Sequence, residues 1–126
     1  MIDFQNSKFI KLGKSNFNVF AKNVDPLLVN GESVVATYIS IRDGVVFTNR
    51  RIIAINVQGI SGKKKDITSL PYNKIQAFSV ETAGIMDLDG ELEIWFSGLG
   101  KVRFEFSNCT DISEICRLIS SYVLDI

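Results

Sequence analysis

Apolar and polar residues alternate most regularly near the end of the chain. Over 91–97, Leu92, Ile94 and Phe96 share one face, and over 101–107, Val102, Phe104 and Phe106 do the same. The opposite faces carry Glu91, Glu93 and Trp95, then Lys101, Arg103 and Glu105. This period of two predicts an antiparallel hairpin with one face on a core, joined by Gly98-Leu99-Gly100. Both apolar sets must lie on one face, so paired residue numbers sum to an even value. A sum of 196 sets Glu93 opposite Arg103, whereas 198 sets it opposite Glu105. Like charges directly opposite are unfavourable, which favours 196.

The same period runs through 33–40, 45–48, 51–57, 66–70 and 75–82, separated by turn signals at Arg42-Asp43-Gly44, Asn49-Arg50, Gly59 to Gly62, and Pro71. The spacing changes after 110. Ile112, Ile115, Cys116, Ile119, Tyr122 and Val123 fall on one helical stripe, with Leu118 and Ile126 off it. Asp111 is placed to cap this helix, with Glu114 as its capping-box partner. The first 30 residues are less regular. Phe17, Phe20, Ala21 and Val24 recur at helical spacing until Pro26, which predicts one or two short helical segments. The pattern therefore predicts a mainly β, single-domain chain over 1–126: an N-terminal extension (1–30), a barrel of about seven strands (32–107) and a capping helix (110–124). Strand–helix–strand alternation is missing, which excludes a parallel α/β sheet.

The 126 residues are 46% hydrophobic and 10% aromatic, enough for a self-supporting core. Lys plus Arg equals Asp plus Glu, at 14 each, which speaks against a nucleic-acid partner. Zero net charge with positive mean hydropathy gives little protection against self-association. Cys109 and Cys116 are about two helical turns apart, too far for a disulfide. Reduced thiols, with Cys116 in the core, fit a cytoplasmic setting. The first residues show no signal peptide, and no apolar run is long enough to span a bilayer.

The sequence contains no histidine, which removes the commonest general base, the histidine-dependent nucleophile triads and most zinc sites. No phosphate-binding glycine loop occurs. Catalysis, cofactors and a metal centre are therefore not expected. Asp87-Leu88-Asp89-Gly90-Glu91 resembles a calcium loop only superficially, because its glycine falls at the wrong position. Lys63, Lys64 and Lys65, with Lys74 and Arg50-Arg51 elsewhere, offer an anionic-lipid patch. The plainer reading of the lysine run is a solvated loop tip, blunted by Asp66. Trp95, the sole tryptophan, falls on the polar face of its strand. It is either a contact residue or a ring lying over neighbouring strands or stacked on Lys101 or Arg103.

Five segments taken in order resemble the bacterial pleckstrin-homology-like family: Arg42-Asp43-Gly44-Val45-Val46-Phe47-Thr48-Asn49-Arg50-Arg51; Gly59-Ile60-Ser61-Gly62-Lys63-Lys64; Ser69-Leu70-Pro71-Tyr72-Asn73-Lys74-Ile75; Phe78-Ser79-Val80-Glu81-Thr82-Ala83-Gly84; and Asp87-Leu88-Asp89-Gly90-Glu91-Leu92-Glu93-Ile94-Trp95. The resemblance spans about 27–124. It implies two nearly orthogonal antiparallel sheets, seven strands in all, plugged at one end by the last helix. It also implies dome-shaped homo-oligomeric rings, as pentamers, acting in protein–protein interaction where strands of adjacent subunits meet. Glu81, Glu91, Glu93, Trp95 and Arg103 are the candidate junction residues. The alternative function is peripheral binding of an anionic or phosphoinositide-type lipid through Lys63, Lys64 and Lys65, the one membrane contact considered. Gly90 is a mild departure from the family pattern.

Overall fold

The computed structural model describes residues 1–6, 9–82, 90–107 and 110–124. Eight strands are present among them: β1 (Phe9–Ser15), β2 (Val34–Ile39), β3 (Gly44–Thr48), β4 (Arg51–Gln58), β5 (Lys64–Pro71), β6 (Ile75–Glu81), β7 (Gly90–Phe96) and β8 (Gly100–Phe106). A short helix, α1 (Ala21–Val24), continues into a 3₁₀ turn that contains Pro26. A longer helix, α2 (Ile112–Val123), closes the chain.

The strands form one continuous sheet in the order β5-β4-β3-β2-β1-β8-β7-β6. This differs from the expected seven strands in two sheets, and the difference is β1. Its second half pairs antiparallel with β2, through Gly13 and Ile39 to Ser15 and Thr37. Its first half runs parallel to β8, through Phe9 and Phe104. One strand thus joins the two halves of the sheet. The switch occurs at a register shift between Phe9 and Leu12, where Lys11 adopts a left-handed backbone with φ 54°. Such a conformation is uncommon for a residue other than glycine and marks a bulge here.

The main core lies on one face of this sheet. Phe104 meets Phe9 and Phe4 edge-on, with ring centroids 5.5 and 6.5 Å away. Tyr38 meets Phe47 and Phe106 in the same manner, at 5.7 and 5.1 Å. Burial pushes the Tyr38 hydroxyl pKa up to about 12, with a smaller push from the Glu114 charge. The N-terminal segment straps across the core. Ile2 and Phe4 are buried, the Ile2 amide donates to Thr68 Oγ1 at 3.1 Å, and Gln5 Nε2 donates to the Lys101 carbonyl at 3.1 Å.

Helix α2 packs on β6, β7 and the Tyr72 turn. Ile115 and Ile119 are fully buried, and Ile112, Leu118, Tyr122 and Val123 pack against the same core. Leu118 therefore belongs to the buried side although it lies off the ideal stripe. Asp111 caps the helix by accepting from the Ser113 amide at 3.0 Å. Glu114 does not complete the box as expected; its carboxylate meets Lys14 on β1 at 3.1 Å, an exposed pair. Cys116 is half-buried rather than in the core, with its Sγ 4.0 Å from Ser120 Oγ. Cys109, Ile126, the start of the calcium-like stretch (Asp87 to Asp89) and Ala83-Gly84 lie outside the described residues. Gly90 lies against the helix: a Cβ there would sit 3.1 Å from Ile112, which accounts for the smallest residue at that point.

A second, smaller core covers the other face of β3 and β4. Phe20 and Val24 of the N-terminal segment pack on Val46, Ile53 and Ile55. This is why 45–47 and 52–55 are apolar at successive positions: these strands are covered on both faces. A Cβ added at Gly44 would fall inside the Phe20 ring and 3.1 Å from the Tyr38 carbonyl. Gly44→Ala is expected to cost about 1–3 kcal/mol through overpacking. In a urea-unfolding series, pairing it with Phe20→Leu should recover part of the loss. Equal stability of parent and Gly44→Ala would refute this packing.

Candidate functional site

Strands β6, β7 and β8 place their polar side chains on one outer face. The register sets Glu93 opposite Arg103 and Trp95 opposite Lys101, the arrangement with paired numbers summing to 196. On the other side, Ser79 faces Glu93, Ala77 faces Trp95, and Glu81 faces Glu91. Glu81, Glu91, Glu93, Trp95 and Arg103 thus gather in one strip of side chains.

Charges within the strip are partly matched. Lys101 Nζ lies 3.0 Å from Glu93, while Arg103 lies 3.6 Å from Glu91 and 3.8 Å from Glu93. Lys101 and Arg103 are more than half exposed, so these pairs set side-chain direction more than stability. Carboxylate oxygens of Glu81, Glu91 and Glu93 lie within 4.8 Å of one another, so the strip keeps an acidic centre. Trp95 is 48% exposed. It borders a shallow depression of about 170 Å³ with Ala77, Ser79, Glu93 and Lys101. Beyond β8 the face continues into a groove of about 500 Å³ lined by Phe4, Phe9, Ile10, Lys101, Arg103 and Glu105. Strand β6 ends the sheet, so the strip adjoins a strand with only one sheet neighbour.

The lysine run is elsewhere, in the loop between β4 and β5 and at the start of β5. Lys63 and Lys64 are exposed, and Lys65 Nζ turns back to the Gly62 carbonyl at 2.9 Å. Arg51 is not part of any open basic patch. It forms a two-pronged ion pair with Glu32, with Nε to Oε2 at 2.9 Å and Nη2 to Oε1 at 3.0 Å. It also donates to the Leu27 carbonyl at 2.7 Å and to Ser69 Oγ at 3.0 Å. The Glu32 side chain is fully shielded and also accepts from the Val29 amide at 3.0 Å and Thr48 Oγ1 at 2.7 Å. Burial alone would raise the Glu32 pKa; the donors from Arg51, Val29 and Thr48 outweigh it and hold the pKa below the ordinary carboxylate range. Tyr72 completes the cluster by donating to the Thr48 carbonyl at 2.7 Å, and burial raises its own pKa. The sequence reading missed this network. Its one available signal was a glutamate just after Asn30-Gly31, a turn-forming pair, and an arginine just after the turn at Asn49-Arg50.

The fold and this surface can now be set beside known proteins. The family model for the bacterial PH domain matches residues 3–123. The chain belongs to the bacterial PH domain family. Among its relatives is the uncharacterized protein YjqA of Bacillus subtilis, 44% identical over 97 residues, which cover 75% of this chain and 78% of YjqA. A crystal structure of a DUF1696 family protein with a pleckstrin-homology domain from Shewanella loihica superposes with a TM-score of 0.80 at 36% identity, covering 90% of this chain and 98% of that one. A pleckstrin homology domain from Shewanella amazonensis gives 0.68 at 35% identity, covering 94% and 92%. The eight-stranded sheet and its C-terminal helix are thus a bacterial PH domain. No helix among the described residues of this PH domain is long and apolar enough to cross a membrane.

Proposed function

We propose that this PH domain works without catalysis, as a cytoplasmic self-assembling module: a cyclic homo-oligomer, a pentamer, whose assembled surface engages a protein partner. The observation that carries the reading is the half-exposed Trp95 in an acidic strip beside the end strand β6. An end strand offers unpaired backbone groups to another chain unless something covers them. A head-to-tail contact between copies covers such an edge and closes into a ring when the rotation fits. Tryptophan, with tyrosine and arginine, is enriched at the energetic centre of such contacts. The groove between the N-terminal segment and β8 extends the surface available to a partner.

Multi-angle light scattering tests this directly. The parent protein is expected at a multiple of its monomer mass, at tens of micromolar. Trp95→Ala should weaken assembly by about 2 kcal/mol per contact, as truncation of a central aromatic anchor does. A parent that is monomeric at these concentrations ends the ring reading. An unchanged oligomer in Trp95→Ala moves the contact off this strip.

A further inference from the structure

Strand β8 meets β1 along only part of its length. Among the described residues, the β1 ladder joins β8 at Phe104 and Phe106. Over 100–103 the β1 side of β8 faces the groove of about 500 Å³ instead. There the Gln5 side chain stands where a strand would: its Nε2 donates to the Lys101 carbonyl at 3.1 Å. Backbone groups two residues apart in a strand point to the same side, so Lys101 and Arg103 both present theirs to the groove.

Each wall of the groove has its own chemistry. Phe4 and Phe9 are its most buried lining residues, with ring centroids 6.0 Å apart, and form its base. Ile10, 43% exposed, stands on the β1 side. Lys101 and Arg103 stand on the β8 side, both more than half exposed. Lys101 is engaged with Glu93 at 3.0 Å, but Arg103 reaches Glu91 and Glu93 only at 3.6 and 3.8 Å, longer than a hydrogen bond. Its planar fork can therefore take a carboxylate from the groove side. Glu105, two residues further along β8, disfavours a second acid at the Ile10 end.

We infer that this groove takes an extended segment of a partner protein, one that carries an acidic side chain between two apolar ones. The segment adds to β8 as a short strand, its backbone replacing the Gln5 amide on the Lys101 carbonyl. Alternation then sends the acid to Lys101 and Arg103 and the two apolar side chains onto Phe4 and Phe9. Gln5 is a placeholder that keeps the acceptor satisfied until the segment arrives. The inference rests on reading this face as a partner surface, but not on ring closure.

An NMR titration of the isotope-labelled chain with the blocked peptide acetyl-Gly-Val-Glu-Val-Gly-amide tests it. Saturable shifts are expected at Ile10, Lys101, Arg103 and the Gln5 side-chain amide. The same peptide with lysine in place of glutamate should bind about tenfold more weakly, as should the parent peptide to Lys101→Ala with Arg103→Ala. Gln5→Ala should tighten binding about threefold, because a competing hydrogen bond is gone. Gln5, Lys101 and Arg103 are exposed, so thermal unfolding of these variants should match the parent, separating lost docking from lost folding. Four results overturn the inference: no shifts at millimolar peptide, equal binding of the two peptides, unchanged affinity in Gln5→Ala, or the same shifts with N-acetylglutamate alone, which would make the groove a small-anion site. Light scattering on the same samples keeps the two readings apart. A monomer that binds the peptide loses the ring and keeps the groove; a ring that binds no peptide loses the groove alone.

Discussion

Arg51→Ala is expected to destabilise the domain by about 3–5 kcal/mol, the usual cost of removing one partner from a shielded ion pair. The change strands the Glu32 carboxylate, which has no exposed surface and keeps only the Val29 amide and the Thr48 hydroxyl as donors. It also removes the bonds from Arg51 to Leu27 and Ser69, which tie the segment after α1 to β4 and β5. Urea unfolding measures the loss, and a double-mutant cycle apportions it. Arg51→Met with Glu32→Gln should cost less than the two single changes together, because neither leaves a bare charge. The pH dependence has a definite sign. The Glu32 pKa is lowered on folding, so the network's contribution is fully present above the ordinary carboxylate range, near ~4.3, and is lost as the pH falls through the lower folded value. Arg51→Ala should flatten that part of the acid limb. A variant as stable as the parent, with an unchanged acid limb, would show that the pair contributes nothing.

Phe104→Ala should cost a similar amount, about 3–5 kcal/mol, for a different reason. The ring is fully buried and touches Phe4 and Phe9 by its edges. Phe104 is also the β8 partner of Phe9 where β1 runs parallel. Truncation opens a cavity where the N-terminal strap, β1 and β8 converge. Hydrogen exchange should therefore show faster opening of β1 and of the Ile2 amide before the β3–β4 hairpin is affected. Uniform loss of protection across the sheet, with no earlier opening at β1, would refute this local account.

Much of the fold could be read from periodicity because most strands obey it. The β7–β8 register followed from one charge argument, Glu93 facing Arg103, and the structure has that register. The same register leaves Glu91 opposite Glu105, and Arg103 leans toward Glu91 as well as Glu93. Strand β1 escaped notice because of Lys11. The bulge there turns both Phe9 and Leu12 inward, and a spacing of three reads as helix rather than strand. The candidate strip was legible because it is simply the other half of the alternation. The Glu32–Arg51 pair was not. Each residue follows a turn signal and looks solvated, and only the pairing of β2 with β3, which sets Val34 opposite Thr48, brings them together. The capping role of Asp111 was legible; that of Glu114 was not, because its partner Lys14 comes from the far end of the chain.

The two-sided pairing of β1 bears on how the domain is made. Phe9 is synthesised well before its partner Phe104. While the chain is still growing on the ribosome, β2 to β5 can pair with near neighbours, but the β8 side of β1 has nothing to bind. Until the β7–β8 hairpin emerges, Phe4, Phe9 and Leu12 have no finished core to enter. The nascent chain would be most exposed to misassociation in that interval, and the sheet would close only once β8 has emerged.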